Sequence, residues 1–174
     1  MACFDSNGYE ATTMSMVVEA SGVARATVYG HFSSKEELAA EAARVQLDAL
    51  IKAAPAMLGA KTLASTLTTF NRRTVTWLRK NASVAEVYMR HIQAQADYSA
   101  RPEQTRPSLR RALRALFAQA AADEAWPEGC DTEFLADSFA LLWFNLCMQW
   151  LQSRNDALLE QRLQALVRLF EHPT

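Results

Sequence analysis

Apolar positions recur at three- and four-residue intervals along nearly the whole chain, and no stretch alternates as a half-buried strand would. Four stripes stand out: Leu38, Ala42, Val45 and Ala49; Leu63, Leu67, Phe70, Thr74 and Trp77; Leu109, Leu113, Leu116 and Phe117; and Leu159, Leu163, Leu166 and Phe170. Each predicts a helix with one face meant for burial. The segment from Phe134 to Leu151 differs, being apolar nearly all the way round. Such a helix must be covered on more than one side, by its own bundle and by a second subunit. The expected fold class is therefore all-α.

Breaks are expected at Asn7-Gly8, Ser21-Gly22, Ser33-Ser34, Pro55 to Gly59, Asn81, Ser99 to Pro107, Pro127-Glu128-Gly129 and Ser153-Arg154-Asn155. Up to about Phe32 they leave only very short helices; from Ser34 onward the helices are long. Short helices repay little of their nucleation cost, so two in succession joined by a tight turn persist only when packed together. That is how a helix-turn-helix is built. The division predicts a DNA-binding module over 1–44 and a helical body over 45–174.

Within the first part, Thr13 is placed to cap a helix from about Met14 to Ala20, its hydroxyl accepting from an early backbone amide. Gly22 permits the left-handed backbone that ends this helix. Val23 is expected to plug the angle between it and a second helix, about Ala24 to Phe32. By position that second helix is the recognition helix, whose first residues meet base edges in the major groove. Here these are Arg25, Ala26 and Thr27. Arginine bonds guanine bidentately, whereas alanine and the threonine methyl suit a thymine methyl. Ser34 and Glu37 form a capping box opening the next helix.

The stretch from Gly8-Tyr9-Glu10-Ala11-Thr12-Thr13-Met14, through Val17-Val18-Glu19-Ala20-Ser21-Gly22-Val23, to Thr27-Val28-Tyr29-Gly30-His31-Phe32-Ser33-Ser34-Lys35-Glu36-Glu37-Leu38 closely resembles the DNA-binding region of the TetR family of transcriptional regulators. The resemblance implies that Thr13, Tyr29, His31 and Lys35 hold phosphates, which fixes register and supplies affinity rather than sequence information. Phe32 reads as a core aromatic, and Tyr29 as a packed ring with its hydroxyl toward phosphate. Three positions depart from the family habit. Val18 stands where alanine is usual, Ala24 where a capping serine is usual, and Gly30 lies inside the recognition helix; the last two each cost about 1 kcal/mol locally.

The family's whole first helix precedes Gly8-Tyr9, whereas here only Met1 to Asn7 stands there, with Phe4 at the place of its last core aromatic. The first helix is thus expected to be largely absent, with the biological chain either beginning roughly ten or more residues upstream of Met1 or truncated there. Between Met1 and Arg44 three basic residues (Arg25, Lys35, Arg44) stand against six acidic ones. A basic arm upstream would correct that balance.

For the body, the resemblance implies a TetR-like antiparallel helical ligand-binding and dimerisation domain. A homodimer would form through helices about 132–152 and 156–171, setting two recognition helices one DNA turn apart on a palindromic operator in double-stranded DNA. It also implies an effector pocket, with Phe70, Trp77, Tyr88, Ile92, Phe139, Trp143, Phe144 and Cys147 as candidate lining and Thr74, His91 and Gln93 as polar contacts. This aromatic, sparsely charged set favours a small hydrophobic or amphipathic molecule, which would release a repressor from its operator.

Composition narrows the alternatives. The Phe139 to Leu151 run is broken by Asn145 and Gln149, which argues against a membrane span. Met1-Ala2-Cys3-Phe4-Asp5 does not read as a signal peptide. Cys3, Cys130 and Cys147 are odd in number and widely spaced, which suits a reducing cytoplasm. No Glu-x-x-His pair, glycine-rich phosphate loop or nucleophile elbow is present, and His31, His91 and His172 lack metal-ligand spacing. No enzyme activity, metal or cofactor is expected. The competing reading is a helical ligand-binding or protein-interaction module that no longer binds DNA.

Overall fold

The computed structural model describes residues 2–52, 62–94, 108–124 and 126–171, and within these the fold is all-helical. The helices are α1 (Ala2–Ala11), α2 (Met14–Ser21), α3 (Arg25–His31), α4 (Lys35–Lys52), α5 (Leu63–Lys80), α6 (Ala82–Ala94), α7 (Ser108–Asp123), α8 (Thr132–Ser153) and α9 (Asp156–Arg168). The breaks expected at 55–59 and 99–107 lie outside the described residues. The chain forms two compact units: 1–46 with 78–100, and 47–77 with 101–174. Compactness therefore groups α6 with the N-terminal helices, where a single cut after residue 44 would separate them.

In the first unit, α1 packs on α2 and α6, and α2 packs on α3. The stretch ahead of Gly8 is helical, and the chain bends at Gly8 (φ 77°, ψ 162°), a backbone that side-chain-bearing residues avoid. The bend brings Phe4 against Tyr9, their stacked ring centroids 5.9 Å apart and both side chains buried. Thr12 is fully buried and its single hydroxyl proton goes to the Gly8 carbonyl at 2.6 Å, with the Cys3 carbonyl as a longer shared acceptor at 3.2 Å, satisfying backbone that the bend frees.

The face of α4 differs from the stripe read from sequence. Val45 is 54% exposed, and Ala49 is exposed, whereas Ala39, Ala40, Ala43 and Leu47 are buried. The side that wins is lined by alanines, which permit close helix approach but carry little weight in a hydrophobic pattern. Val23 is likewise exposed instead of plugging the α2–α3 angle, and Val28 is the buried valine of that pair.

In the second unit, α8 packs against α7 and α9. The stripes on α5, α7 and α9 emerge largely as read: Leu63, Leu67, Phe70, Thr74, Leu113, Leu116, Phe117, Leu159, Leu163, Leu166 and Phe170 are buried, while Trp77 and Leu109 at the stripe ends are only half-buried. Phe117, Phe139 and Phe170 form a triangle with centroids 5.5 to 6.1 Å apart, tilted or edge-on as ring quadrupoles prefer. The Asp137 carboxylate of α8 accepts from Nε and Nη2 of Arg114 of α7, at 3.1 and 2.8 Å. The α8–α9 turn is held by Trp150 Nε1, which donates to Asp156 at 2.7 Å, and by the Asn155 side chain, which caps α9 at the Leu158 amide.

By length and composition alone α8 is apolar enough to cross a membrane, so Asn145 and Gln149 do not exclude a span as the sequence reading held. Ala136, Phe139, Ala140, Trp143, Cys147, Trp150 and Leu151 are buried within the fold, along one side of the helix.

Candidate nucleic-acid interface and effector site

The two short helices form where capping and turn chemistry place them. Thr13 Oγ1 accepts from the Met16 amide at 3.2 Å, and Gly22 adopts the left-handed conformation (φ 66°, ψ 9°) that closes α2. Ser21 reinforces the turn, donating to the Val18 carbonyl at 2.9 Å and accepting from the Val23 amide at 3.2 Å. Ala24 precedes α3 with no side-chain cap, as its identity dictates.

On α3 only Val28 is buried, leaving Arg25, Ala26, Thr27, Tyr29 and His31 exposed, together with Thr13 at the head of α2. Arg25 and Tyr29, one helical turn apart, are in contact, with the guanidinium carbon 5.2 Å from the ring centroid. Tyr29 is 40% exposed. Its ring is therefore less packed than the sequence suggested, and it serves as a platform for Arg25. His31 lies beside Phe32 (centroids 6.4 Å apart), and Phe32 is half-buried rather than a full core residue. The Thr13 hydroxyl, already accepting from its own helix, keeps its proton for an outside acceptor.

Lys35 is placed differently from the exposed set. Its ammonium donates to the Tyr9 and Glu10 carbonyls at 3.0 and 3.3 Å and lies 4.4 Å from the Tyr9 ring centroid. It therefore closes the C-terminal end of α1 from the first turn of α4. Tyr9 returns the link, its hydroxyl donating to Glu36 Oε1 at 2.9 Å. Burial, then the bond to Glu36 and its negative charge, push the Tyr9 phenol up to about 12. The Glu36 carboxyl is held below its ordinary range, first by its own backbone amide and then by Tyr9. The capping box forms in part: Ser34 Oγ accepts from the Glu37 amide at 3.1 Å, but the Glu37 carboxylate takes the Ser33 amide and hydroxyl, both at 2.8 Å, instead of the Ser34 amide. Those two bonds hold the Glu37 carboxyl below its usual range.

A phenol whose folded pKa is raised contributes stability that is complete below its unfolded value of about 10 and is lost as pH rises through about 12. Alkaline melting curves should therefore show stability falling above pH 10. Tyr9→Phe should lower stability at neutral pH by about 1 kcal/mol and flatten that alkaline fall. An unchanged alkaline profile in the variant would assign the loss to another group.

The candidate effector residues divide between the units. Phe70, Thr74, Trp77, Phe139, Trp143, Phe144 and Cys147 belong to the second, and Tyr88 and His91 to the first; the side chains of Ile92 and Gln93 lie outside the described residues. Within the second unit Phe70 meets Trp143, ring centroids 5.5 Å apart. Thr74 is buried and donates to the Phe70 carbonyl at 3.1 Å. Phe139 belongs to the aromatic triangle, and Phe144 is half-buried. Cys147 is fully buried, and burial pushes its thiol far above its ordinary value, so it is unreactive as a nucleophile.

Two buried polar atoms in this unit meet no described partner: Trp143 Nε1 and Asn71 Oδ1. Sequence reasoning named Trp143 only as lining and passed over Asn71, although Asn71 adjoins Phe70 on the stripe side of α5. Among the described residues no group of three or more His, Cys, Asp or Glu is placed to hold a metal ion.

Residues 1–42 match the family described as bacterial regulatory proteins, tetR family. A comparison with curated proteins returns no match. Among solved structures, the chain is similar to FadR of Thermus thermophilus, a TetR-family transcriptional repressor in complex with lauroyl-CoA. The two share 17% identity over 97% of this chain and 88% of that one, with a TM-score of 0.75. It is similar also to the transcriptional regulator FadR of Bacillus subtilis in complex with stearoyl-CoA (16% identity, 98% and 92% covered, TM-score 0.64). A third is the TetR-family regulator PfmR of Thermus thermophilus (19%, 97% and 92%, TM-score 0.55). At these identities the likeness is one of fold.

Proposed function

We propose that this chain, which carries the tetR-family N-terminal module on a TetR-like helical fold, is a cytoplasmic, ligand-responsive DNA-binding regulator that represses from a palindromic operator. The observation that carries the reading is α3 itself. A helix held by one buried valine presents Arg25, Ala26, Thr27, Tyr29 and His31 outward, which is what insertion into a major groove requires. Arg25 is the base-reading residue, Ala26 and Thr27 offer contacts for thymine methyls, and Thr13, Tyr29 and His31 hold phosphates. Lys35 supports binding by bracing α1 against α4, a role its two carbonyl partners favour.

Dimerisation through α8 and α9 is supported by the apolar surface those helices leave outward. Phe134, Leu141 and Leu142 on α8, and Leu169 just after α9, are exposed at 47 to 69%. An α8 buried on one face and apolar on the other suits a two-fold helical bundle. The effector is a hydrophobic or amphipathic molecule contacting Phe70, Thr74 and Trp143, and its binding favours a dimer geometry that no longer fits the groove spacing. The acyl-CoA ligands of both FadR proteins belong to that broad class.

Replacing Arg25 with alanine should relax preference at one base step by about 1–3 kcal/mol while leaving the melting temperature unchanged. Lys35→Met should weaken all sequences alike and lower the melting temperature. Binding of both variants to a panel of single-base operator changes checks this division, and identical behaviour would refute it. The acidic excess ahead of residue 45 favours a second reading, a helical ligand-binding or interaction module without DNA binding. Ligand binding without any salt-dependent DNA binding is the result that would favour it.

A further inference from the structure

We propose that Asn145 and Gln149, oriented by Arg162, form a partner-selecting element on the α8–α9 face, one that admits a second copy of this chain and rejects a wholly apolar surface. This rests on the dimer reading above and specifies what chooses the partner.

On α8, Phe134, Leu141, Asn145 and Gln149 follow one another at helical spacing and are exposed, on the side away from Phe139, Trp143 and Cys147. On α9 and just after it, Leu158, Arg162, Ala165 and Leu169 form a second stripe, with Leu158 half-buried and the rest exposed. The stripes adjoin, because Arg162 Nη1 donates to Gln149 Oε1. Gln149 Nε2 in turn donates to Asn145 Oδ1 at 2.8 Å. The α8–α9 face is thus apolar toward the start of α8 and carries bonded amides toward the turn.

This chain of bonds orients both amides. Arg162 has only donors, so Gln149 turns its oxygen to it and its nitrogen to Asn145 Oδ1. The Asn145 nitrogen is left without a bond among the described residues, and each amide oxygen keeps a second lone pair. Neutral groups that offer both donors and acceptors are matched by a copy of themselves. A buried asparagine plays that part in paired helices, setting register at some cost in stability.

Charge favours the same partner. From Ser138 to Ser153 α8 carries no charged residue, and the acids ahead of that run, Glu133 and Asp137, are ion-paired to Arg114 of α7. A basic partner would meet Arg162 with no carboxylate in return. An acidic partner would set its carboxylates against leucines and neutral amides. A wholly apolar partner would bury the amides unmatched, at the full cost of their desolvation. A second copy satisfies both ends of the face, in the register that sets amide against amide.

The test mixes isotope-labelled wild type with Asn145→Leu/Gln149→Leu, both as full chains, and reads the dimers by native mass spectrometry after subunit exchange. The variant alone should dimerise at least as tightly as wild type, because its face is more apolar. Mixed dimers should make up less than about a tenth of the total, where chance pairing gives about half. Arg162→Leu, which lets the Gln149 amide turn over, should mix with the double variant closer to chance. Asn145→Ala/Gln149→Ala removes the same groups without adding apolar bulk, and should show the same bias against wild type even where the leucine variant precipitates. Chance mixing overturns the selection and leaves the dimer reading standing, and an Arg162→Leu bias equal to that of wild type overturns the orienting role. A wild type that stays monomeric, or Leu141→Glu/Leu142→Glu chains that still dimerise, contradicts the dimer reading and the selection with it.

Discussion

The double change Leu141→Glu and Leu142→Glu should yield a folded monomer whose affinity for a palindromic operator falls by about 10²–10⁴. Both side chains are about half exposed on α8, Leu141 opposite Phe139, Trp143 and Cys147 and Leu142 on the flank of that buried face, so charges there leave the bundle intact. In a two-fold assembly the same pair meets its own copy, and four buried carboxylates would have no cation to match them. Each recognition helix would then bind alone and lose the effective concentration supplied by its tethered partner, which sets the size of the drop. Light scattering gives the oligomeric state, circular dichroism the fold, and fluorescence anisotropy the operator affinity. A variant that stays dimeric with unchanged DNA binding would move the interface elsewhere.

Truncating Phe117 to alanine should destabilise the fold by about 3–5 kcal/mol. Phe117 is fully buried and meets Phe139, Phe170 and Trp126 at centroid distances of 5.7 to 6.1 Å. Its removal opens a cavity where α7, α8 and the end of α9 converge, and three rings lose their edge contacts together. At about 2–4 °C per kcal/mol for a chain of this size, the melting temperature should fall by roughly 10 °C. Because the triangle lies outside the N-terminal unit, the DNA affinity of the folded fraction should change little. A drop below about 1 kcal/mol would mean that the cluster relaxes to fill the space.

Much of this was legible from residue order because the physics is local. Thr13 caps α2 and Gly22 ends it wherever the rest of the chain goes, so both boundaries were placed to within one residue. Long aliphatic side chains at helical spacing located the buried faces of α5, α7 and α9. Alanine misled: Ala39, Ala40 and Ala43 form the buried side of α4, a choice made by tertiary packing between small surfaces. The role of Lys35 was equally out of reach, since its partners are backbone carbonyls 25 and 26 residues away. Asn71 was missed for a related reason. An asparagine beside an apolar stripe gains meaning only when its amide nitrogen is seen spent on Leu163 and its oxygen is not.

The central claim is that α3 reads DNA in a two-fold assembly. The most direct measurement is selection of bound sequences from random duplex DNA by the purified protein, followed by titration of the enriched sequence across salt concentrations. The account predicts a palindrome with half-sites one helical turn apart, bound at least about 10³-fold more tightly than a scrambled duplex and weakened steadily by salt. No enriched sequence, or equal affinity for every duplex at all salt concentrations, would contradict it.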